Sequence, residues 1–538
     1  MFAKENVDYT LYLVTDSTML PEGTTLESQV EAGLKNGVTL VQLREKETPT
    51  KTFIQEALKV QKLCKHYGVP LIINDRVDVA LAINADGVHV GQDDMPIPMV
   101  RKLLGPEKII GWSVGYTHEV EQLTKWGPEG VDYIGIGMVF PTNTKKNPKK
   151  APMGPVGVSN ILGALQEYEA KWCKTVAIGG LHPDCIPRVL YQCGSPDGRR
   201  MLDGISVVSD IMAAPDAGSA TKKLRDILAK KRYDFIPGLI SNSTTFHPDQ
   251  MAEYLDRTKT NRPLIQHITN KVHQNFGANV TLALGSSPIM SEINSEFKEL
   301  SLIPHATLLL NTGSVAPLEV LIDAVKAYNE SQRPIVFDPV GYSATETRLN
   351  LNNHVLTAGQ FACIKGNSGE ILSLAGLSQG KMKGVDSGYN GSDLSLLIKA
   401  TKIVAYRYRT VSVCTGKTDI VADGTFAGAY EPSGGMLGDW SSIPCFTIVC
   451  GDIPIMECIT ASGCSLGSTI ACLIGGVSGN ANVLGAVLTA VTLYKSAGQK
   501  ASSRCRGSGS FHVELIDALY QFFTSNQPLE WAASIHQV

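Results

Sequence analysis

Gln42, Arg44 and Lys46 recur at every second position, Asn74 adjoins Asp75, Asp93 adjoins Asp94, and Thr142, Thr144 and Lys145 lie close together. Such a set suits a polyanion bridged by a divalent metal. Arg44, Lys46 and Lys145 can grip phosphate oxygens, while Asp75 and Asp94 offer the hard oxygen ligands that Mg2+ takes. Taken singly, each is more often a surface ion pair. A second candidate lies far downstream in TASGCSLG, residues 460–467. Its small residues precede an apolar helical stretch, where backbone amides can surround an anion as γ-phosphoryl transfer requires. Cys464 stands within it, where packing is the commoner role of a cysteine.

These residues do chemistry only if the fold gathers them. Eight short β-branched runs, at 11–14, 38–43, 70–73, 87–90, 109–112, 133–140, 175–178 and 204–208, nearly all end in polar or glycine clusters. That pattern predicts a (β/α)8 TIM barrel, whose parallel strands present their C-terminal ends on one face. Ser113, Gly179, Gly180 and Ser209 join the first set at those ends. A helix with a basic end over 220–231 closes the barrel. Residues 232–247 mix Pro, Gly, Ser, Asn and Thr with neither period, the composition of a join. The expected division is therefore a barrel at 1–232, a linker at 233–247 and a second domain at 248–538. In that domain a helix over 248–261 comes first. Apolar runs at 308–310, 335–337, 362–364 and 411–414 then alternate with helical stretches at 318–328 and 393–406. Alternation predicts an α/β domain, a parallel sheet covered by helices on both faces. Residues 431–458 read as an elaborated loop.

Composition bounds the function. With 538 residues, 43% of them apolar and 18% charged, the chain can fill two cores. A formal net charge of -3 supplies no basic field for nucleic acid. The N-terminus lacks a secretory signal pattern and no apolar run reaches membrane-spanning length, so a cytoplasmic protein is expected. Its 12 cysteines are irregularly spaced, predicting reduced core residues rather than a disulfide framework or zinc site.

The motifs QLREK at 42–46, INDRVDVA at 73–80, ADGVHVGQDD at 85–94, VFPTNTKK at 139–146, AIGG at 177–180 and GISVVS at 204–209 resemble thiamine phosphate synthases. The resemblance implies that hydroxymethylpyrimidine diphosphate loses diphosphate and that the nitrogen of thiazole phosphate captures the methylene carbon. It also implies Mg2+ on Asp75 and Asp94, and contacts from Gln42, Arg44, Lys46, Asn74, Ser113 and Lys145 to the pyrimidine diphosphate. Thiazole phosphate would meet Thr142, Thr144, Gly180, Val208 and Ser209. The residues suit that chemistry, because charge developing on a departing diphosphate needs neutralising more than it needs a base. Arg44 and Lys145 are the expected catalytic cations.

PLIQHITNKV at 263–272, ALGSSPIM at 283–290, DPVGYSAT at 338–345, IKGNSGEI at 364–371 and CTGKTDIVADG at 414–424 resemble hydroxyethylthiazole kinases of the ribokinase-like class. The two halves in this order resemble fungal bifunctional thiamine biosynthesis enzymes, in which the second domain makes the substrate of the first. By this resemblance Asn270, Met290, Gly313 and Ala461 border the thiazole. Lys365, Thr415, Asp338, Asn367 and Glu370 serve ATP and Mg2+. Cys464 takes the place of an aspartate base, and a helix N-terminus can lower a thiol pKa. The likeness also implies a homotrimer or homohexamer through the second domain. Two departures stand out: Lys365 replaces the usual arginine, losing its planar fork, and Ala461 replaces the first glycine of TGTGC.

Two rival readings remain at this stage. A phosphate-binding isomerase barrel joined to a sugar kinase would need a placed general base among the strand ends, where this set offers cations and metal ligands. A thiamine sensor without turnover would have little use for Asp75, Asp94, Lys145 and Cys464.

Overall fold

The structure is a computed structural model describing residues 2–142, 144, 151–230, 246–314, 316–378, 393–425, 440–478, 482–525 and 531–538. Lys145 and nearly all of the expected linker lie outside these residues.

The eight expected runs form the strands of a closed, all-parallel barrel in sequence order: β1 (Leu11–Val14), β2 (Leu40–Leu43), β3 (Leu71–Asn74), β4 (Gly87–Val90), β5 (Ile109–Val114), β6 (Tyr133–Gly137), β7 (Lys174–Ile178) and β8 (Gly204–Val207). Each strand is buried almost throughout, which is why the runs read as continuous apolar stretches rather than alternating ones. The run expected to reach residue 140 leaves the ladder at Gly137, yet Val139 and Phe140 still donate to Ile178 O and Gly179 O. The closing helix is Ala217–Leu228, started by Asp216, whose carboxylate accepts from Ser219 N at 2.9 Å.

The second unit is built on β9 (Leu264–Ile268), β10 (Ser287–Ile289), β11 (Thr307–Asn311), β12 (Ile335–Asp338), β13 (Cys363–Asn367), β14 (Val411–Thr415), β15 (Thr418–Asp423), β16 (Cys445–Val449) and β17 (Ser534–Gln537). Their order is β10-β9-β11-β12-β13-β14-β15-β16-β17. The first six run parallel, as expected. The last three are antiparallel, so the sheet is mixed. Two corrections follow. Residues 431–458 are not simply a loop, because they contain β16. The reversal at β14 is a tight turn at Gly416 and Lys417, and a turn that short can join only antiparallel strands.

Helix Ser462–Val477 runs through the core of this unit, buried from Ser465 onward. A helix apolar on every side belongs inside. Its glycines permit close packing: a Cβ at Gly476 would lie 2.2 Å from Thr258 Oγ1. The helix starts at Ser462, so the glycine-rich 463–467 stretch forms its first turns.

Candidate active sites

A cavity of about 700 Å³ opens at the C-terminal ends of the barrel strands. Gln42, Arg44, Lys46, Asn74, Asp75, Asp94, Ser113, Thr142, Thr144, Gly180, Val208 and Ser209 all line it. Every expected site residue of the barrel within the described residues is thus brought to one place.

Cations and carboxylates interlock here. Arg44 Nη1 is 3.1 Å from Asp16 Oδ2, and Lys46 Nζ is 3.4 Å from Asp75 Oδ2. Asp94 accepts from Gly91 N at 2.7 Å. Its carboxyl is held above the ordinary range by burial, then by a hydrogen bond with Asp75. Two adjacent carboxylates present hard oxygen donors on one side of the cavity, so the donor set fits Mg2+. Asp75 has φ 59, a left-handed conformation that aspartate tolerates better than most side chains. At the end of β7, Gly179 and Gly180 have φ 100 and 62, and a Cβ at Gly180 would lie 2.5 Å from Pro141 O.

Beneath these groups runs a polar floor that sequence reasoning missed. Gln42 Nε2 donates to Tyr12 OH at 2.7 Å, which lies 2.7 Å from Tyr133 OH; His89 then spans Tyr133 OH at 3.0 Å and Ser113 Oγ at 2.9 Å. Burial lowers the His89 pKa to about 4, so its imidazole is neutral near pH 7. Its one available signal was a histidine within the apolar run GVHV.

In the second unit, parallel strand ends again carry the expected residues: Met290 follows the edge strand β10, Asn270 follows β9, Gly313 follows β11, and Asp338, Lys365 and Thr415 belong to β12, β13 and β14. Lys365 Nζ is 3.2 Å from Asp338 Oδ1, both buried. Burial disfavours the lysine's charge, but Asp338, Cys464 and Glu370 outweigh it and raise its pKa. Glu370 is pushed up to about 7, by burial first and Asp338 second. Its two oxygens accept from Gly341 N and Asn367 N, both at 2.7 Å, while Asn367 Oδ1 accepts from Glu370 N at 2.9 Å. The Asn367–Glu370 spacing is therefore a capping box on helix Ser368–Ala375.

Cys464 lies in the first turn of helix Ser462–Val477, half-buried, with Sγ facing Asn270 Nδ2 at 3.3 Å and Asn311 Nδ2 at 3.2 Å. The expected lowering of its pKa is corrected: burial and then Asp338 push the thiol up to about 11. Ala461 caps the helix at φ 63, ψ 10. Arg348 was also missed; it donates to Thr312 O, Val340 O and Gly313 O, bracing the loops after β11 and β12.

Residues 11–211 match the thiamine monophosphate synthase family and residues 255–525 the hydroxyethylthiazole kinase family. The chain is 67% identical over 538 residues to the thiamine biosynthetic bifunctional enzyme of Saccharomyces cerevisiae, covering 99% of each. The chain belongs to this bifunctional family. It is also 38% identical to a probable thiamine biosynthetic bifunctional enzyme of Schizosaccharomyces pombe, over 96% of each chain. Over 222 residues it is 43% identical to the thiamine-phosphate synthase of Clostridium novyi, covering 41% of this chain and all of that one.

As a thiamine biosynthetic bifunctional enzyme, the chain carries a synthase barrel and a kinase unit. Among the described residues all 12 cysteines are free, eight of them buried. No described helix is long and apolar enough to cross a membrane.

Proposed function

We propose that the kinase unit phosphorylates 4-methyl-5-(2-hydroxyethyl)thiazole with ATP, and that the barrel joins the resulting thiazole phosphate to hydroxymethylpyrimidine diphosphate, releasing diphosphate and thiamine monophosphate. The observation that carries the barrel assignment is the Asp75–Asp94 contact inside a cavity that Arg44 and Lys46 also line. Asp75 and Asp94 would hold Mg2+, which supplies positive charge to the diphosphate. Arg44, Lys46 and Lys145 neutralise its remaining oxygens, and Gln42, Asn74 and Ser113 orient the pyrimidine. Thr142, Thr144, Gly180, Val208 and Ser209 hold the thiazole phosphate so that its ring nitrogen faces the methylene carbon.

In the kinase, Asn270, Met290, Gly313 and Ala461 border the thiazole. Lys365, Thr415, Asp338, Asn367 and Glu370 form the ATP side, where two carboxylates face one lysine and leave charge for Mg2+ to balance. Glu370 acts through that charge and by tying down Gly341 and Asn367. Cys464 receives or orients the proton of the thiazole alcohol.

Exposed Leu282 lies at the end of the helix before the edge strand β10, and exposed Met290 and Ile293 follow that strand. They suit assembly through the kinase unit, and the resemblance to hydroxyethylthiazole kinases makes that assembly a homotrimer or homohexamer. A cytoplasmic location and a linker at 233–247 complete the reading. Purified protein given hydroxyethylthiazole, ATP, Mg2+ and pyrimidine diphosphate should form thiamine monophosphate. Omitting ATP should stop it unless thiazole phosphate is supplied; synthesis from unphosphorylated thiazole without ATP refutes the scheme. Mixed Met290→Arg and Cys464→Ala chains should regain kinase activity in hybrid assemblies, and a fully active monomer by light scattering refutes the assembly.

A further inference from the structure

Gln42, Tyr12, Tyr133, His89 and Ser113 form an unbroken run of hydrogen-bonding side chains across the barrel, with successive separations of 2.7, 2.7, 3.0 and 2.9 Å. The first four are buried, and Tyr12 and Tyr133 are no more than 1% exposed. The strands make room for them. A Cβ at Gly111 would lie 2.1 Å from Tyr133 Cζ, and one at Gly135 would lie 3.3 Å from His89 Cε1.

The Gln42 end of the run fixes its direction. A carboxamide nitrogen only donates, so Tyr12 accepts from Gln42 and passes its own proton to Tyr133. Having accepted, Tyr133 donates to His89 Nδ1. A neutral imidazole that accepts at one nitrogen carries its proton on the other, so Nε2 donates to Ser113. The serine's own proton is then left for the cavity. Reversing the run would give Tyr12 two donors and leave its hydroxyl proton buried without an acceptor, a costly arrangement.

We propose that Tyr12, Tyr133 and His89 are positioning residues that hold Ser113 as a fixed hydrogen-bond donor to the pyrimidine diphosphate. The inference rests on the assignment of Gln42 and Ser113 to that substrate. Burial keeps both tyrosines far from ionising, so the run orients a donor without delivering a net proton. The substrate atom it meets must carry a lone pair, either a diphosphate oxygen or a ring nitrogen.

The direct test is the histidine tautomer in the full-length, 15N-histidine-labelled protein, read from two-bond proton–nitrogen correlations. Protonation at Nε2 with a bare Nδ1 is expected; an Nδ1-protonated or doubly protonated ring overturns the proposal in the unaltered protein. Tyr133→Phe should shift the tautomer toward Nδ1 and lower synthase kcat about tenfold, leaving KM for thiazole phosphate unchanged. His89→Gln, whose amide can still donate toward Ser113, should keep more activity than His89→Leu; equal losses overturn the positioning role. Ser113→Ala should weaken binding of inorganic pyrophosphate with Mg2+ if the acceptor is a diphosphate oxygen, or of hydroxymethylpyrimidine if it is a ring nitrogen. Unchanged binding of both, with full synthase activity, would refute the Ser113 assignment, whereas a wrong tautomer refutes only the run.

Discussion

Asn311 Nδ2 stands 3.2 Å from Cys464 Sγ, and the same nitrogen is 2.8 Å from Asp338 Oδ2. Asn270 Nδ2 approaches the sulfur from a second direction at 3.3 Å. Two amide donors therefore converge on Sγ, which favours sulfur as an acceptor and supports thiolate character as an alcohol proton moves toward it. Burial opposes that charge, so the free enzyme holds a thiol.

Replacing the sulfur tests this reading. Cys464→Ala should slow the kinase step by ~10²-fold or more, the scale of general acid–base contributions. Cys464→Asp should retain more activity, because a carboxylate can accept both amides and the proton. The synthase half-reaction, assayed separately with supplied thiazole phosphate, should be unchanged. Near-normal kinase rates in the alanine variant would leave Cys464 a packing residue.

The two carboxylates of the barrel allow a separation in the other direction. Asp75→Asn removes one charge from the Asp75–Asp94 contact and from Lys46, 3.4 Å away. Lys145→Ala removes a cation assigned to the same diphosphate. Each should abolish coupling while thiazole phosphorylation persists. Paired assays of the two half-reactions on folded protein decide the matter, and equal loss of both contradicts two independent sites.

What could be read in advance was whatever repeats. Each barrel strand carries its own β-branched run and polar end, so eight local signals gave both the closed sheet and the face on which Gln42, Asp75, Asp94 and Ser209 meet. Strand-internal polar residues were hidden for the same reason. Tyr12 and His89 sit inside apolar runs, and only the closed barrel brings Tyr12, from β1, next to Tyr133, from β6. Asn311 likewise ends the run LLLN and looks like a strand terminus until Cys464 is folded against it. The N-x-x-E spacing at Asn367 and Glu370, which the resemblance ties to Mg2+, also forms a capping box that fixes both side chains at the start of helix Ser368–Ala375. The antiparallel edge was obscured because β16 lies within a Gly-, Pro- and Cys-rich stretch.

Ala461 provides a test of strain. At φ 63 and ψ 10 it occupies a conformation that costs an L-residue roughly 1–2 kcal/mol, offset in part because its methyl packs against the core. Ala461→Gly should stabilise the kinase unit by ~0.5–1 kcal/mol. It should also leave thiazole phosphorylation equal or faster, since no methyl then borders the substrate alcohol. Denaturant titration measures the first effect and kinase kinetics the second. A destabilised glycine variant would mean that methyl packing outweighs the backbone strain.

Three buried histidines should govern acid stability. Burial, the largest cause in each, lowers the pKa of His89 and His267 to about 4 and that of His273 to about 3. The unfolded chain binds these protons near the ordinary value of about 6.5. Between the unfolded and folded values the unfolded state therefore holds more protons, and stability falls as pH drops. The contribution is complete above about pH 6.5 and is lost toward pH 4 for His89 and His267 and toward pH 3 for His273, on the order of 3–5 kcal/mol for each histidine. His267 Nε2 lies 3.1 Å from Ser468 Oγ, and Ser468 Oγ lies 3.2 Å from His273 Nε2, so the kinase unit carries two of the three groups. His267→Gln should lower stability at pH 7 yet flatten its decline between pH 6.5 and 4. Thermal melts across that range provide the measurement, and a decline as steep as that of the unaltered chain would show that His267 does not carry this proton linkage.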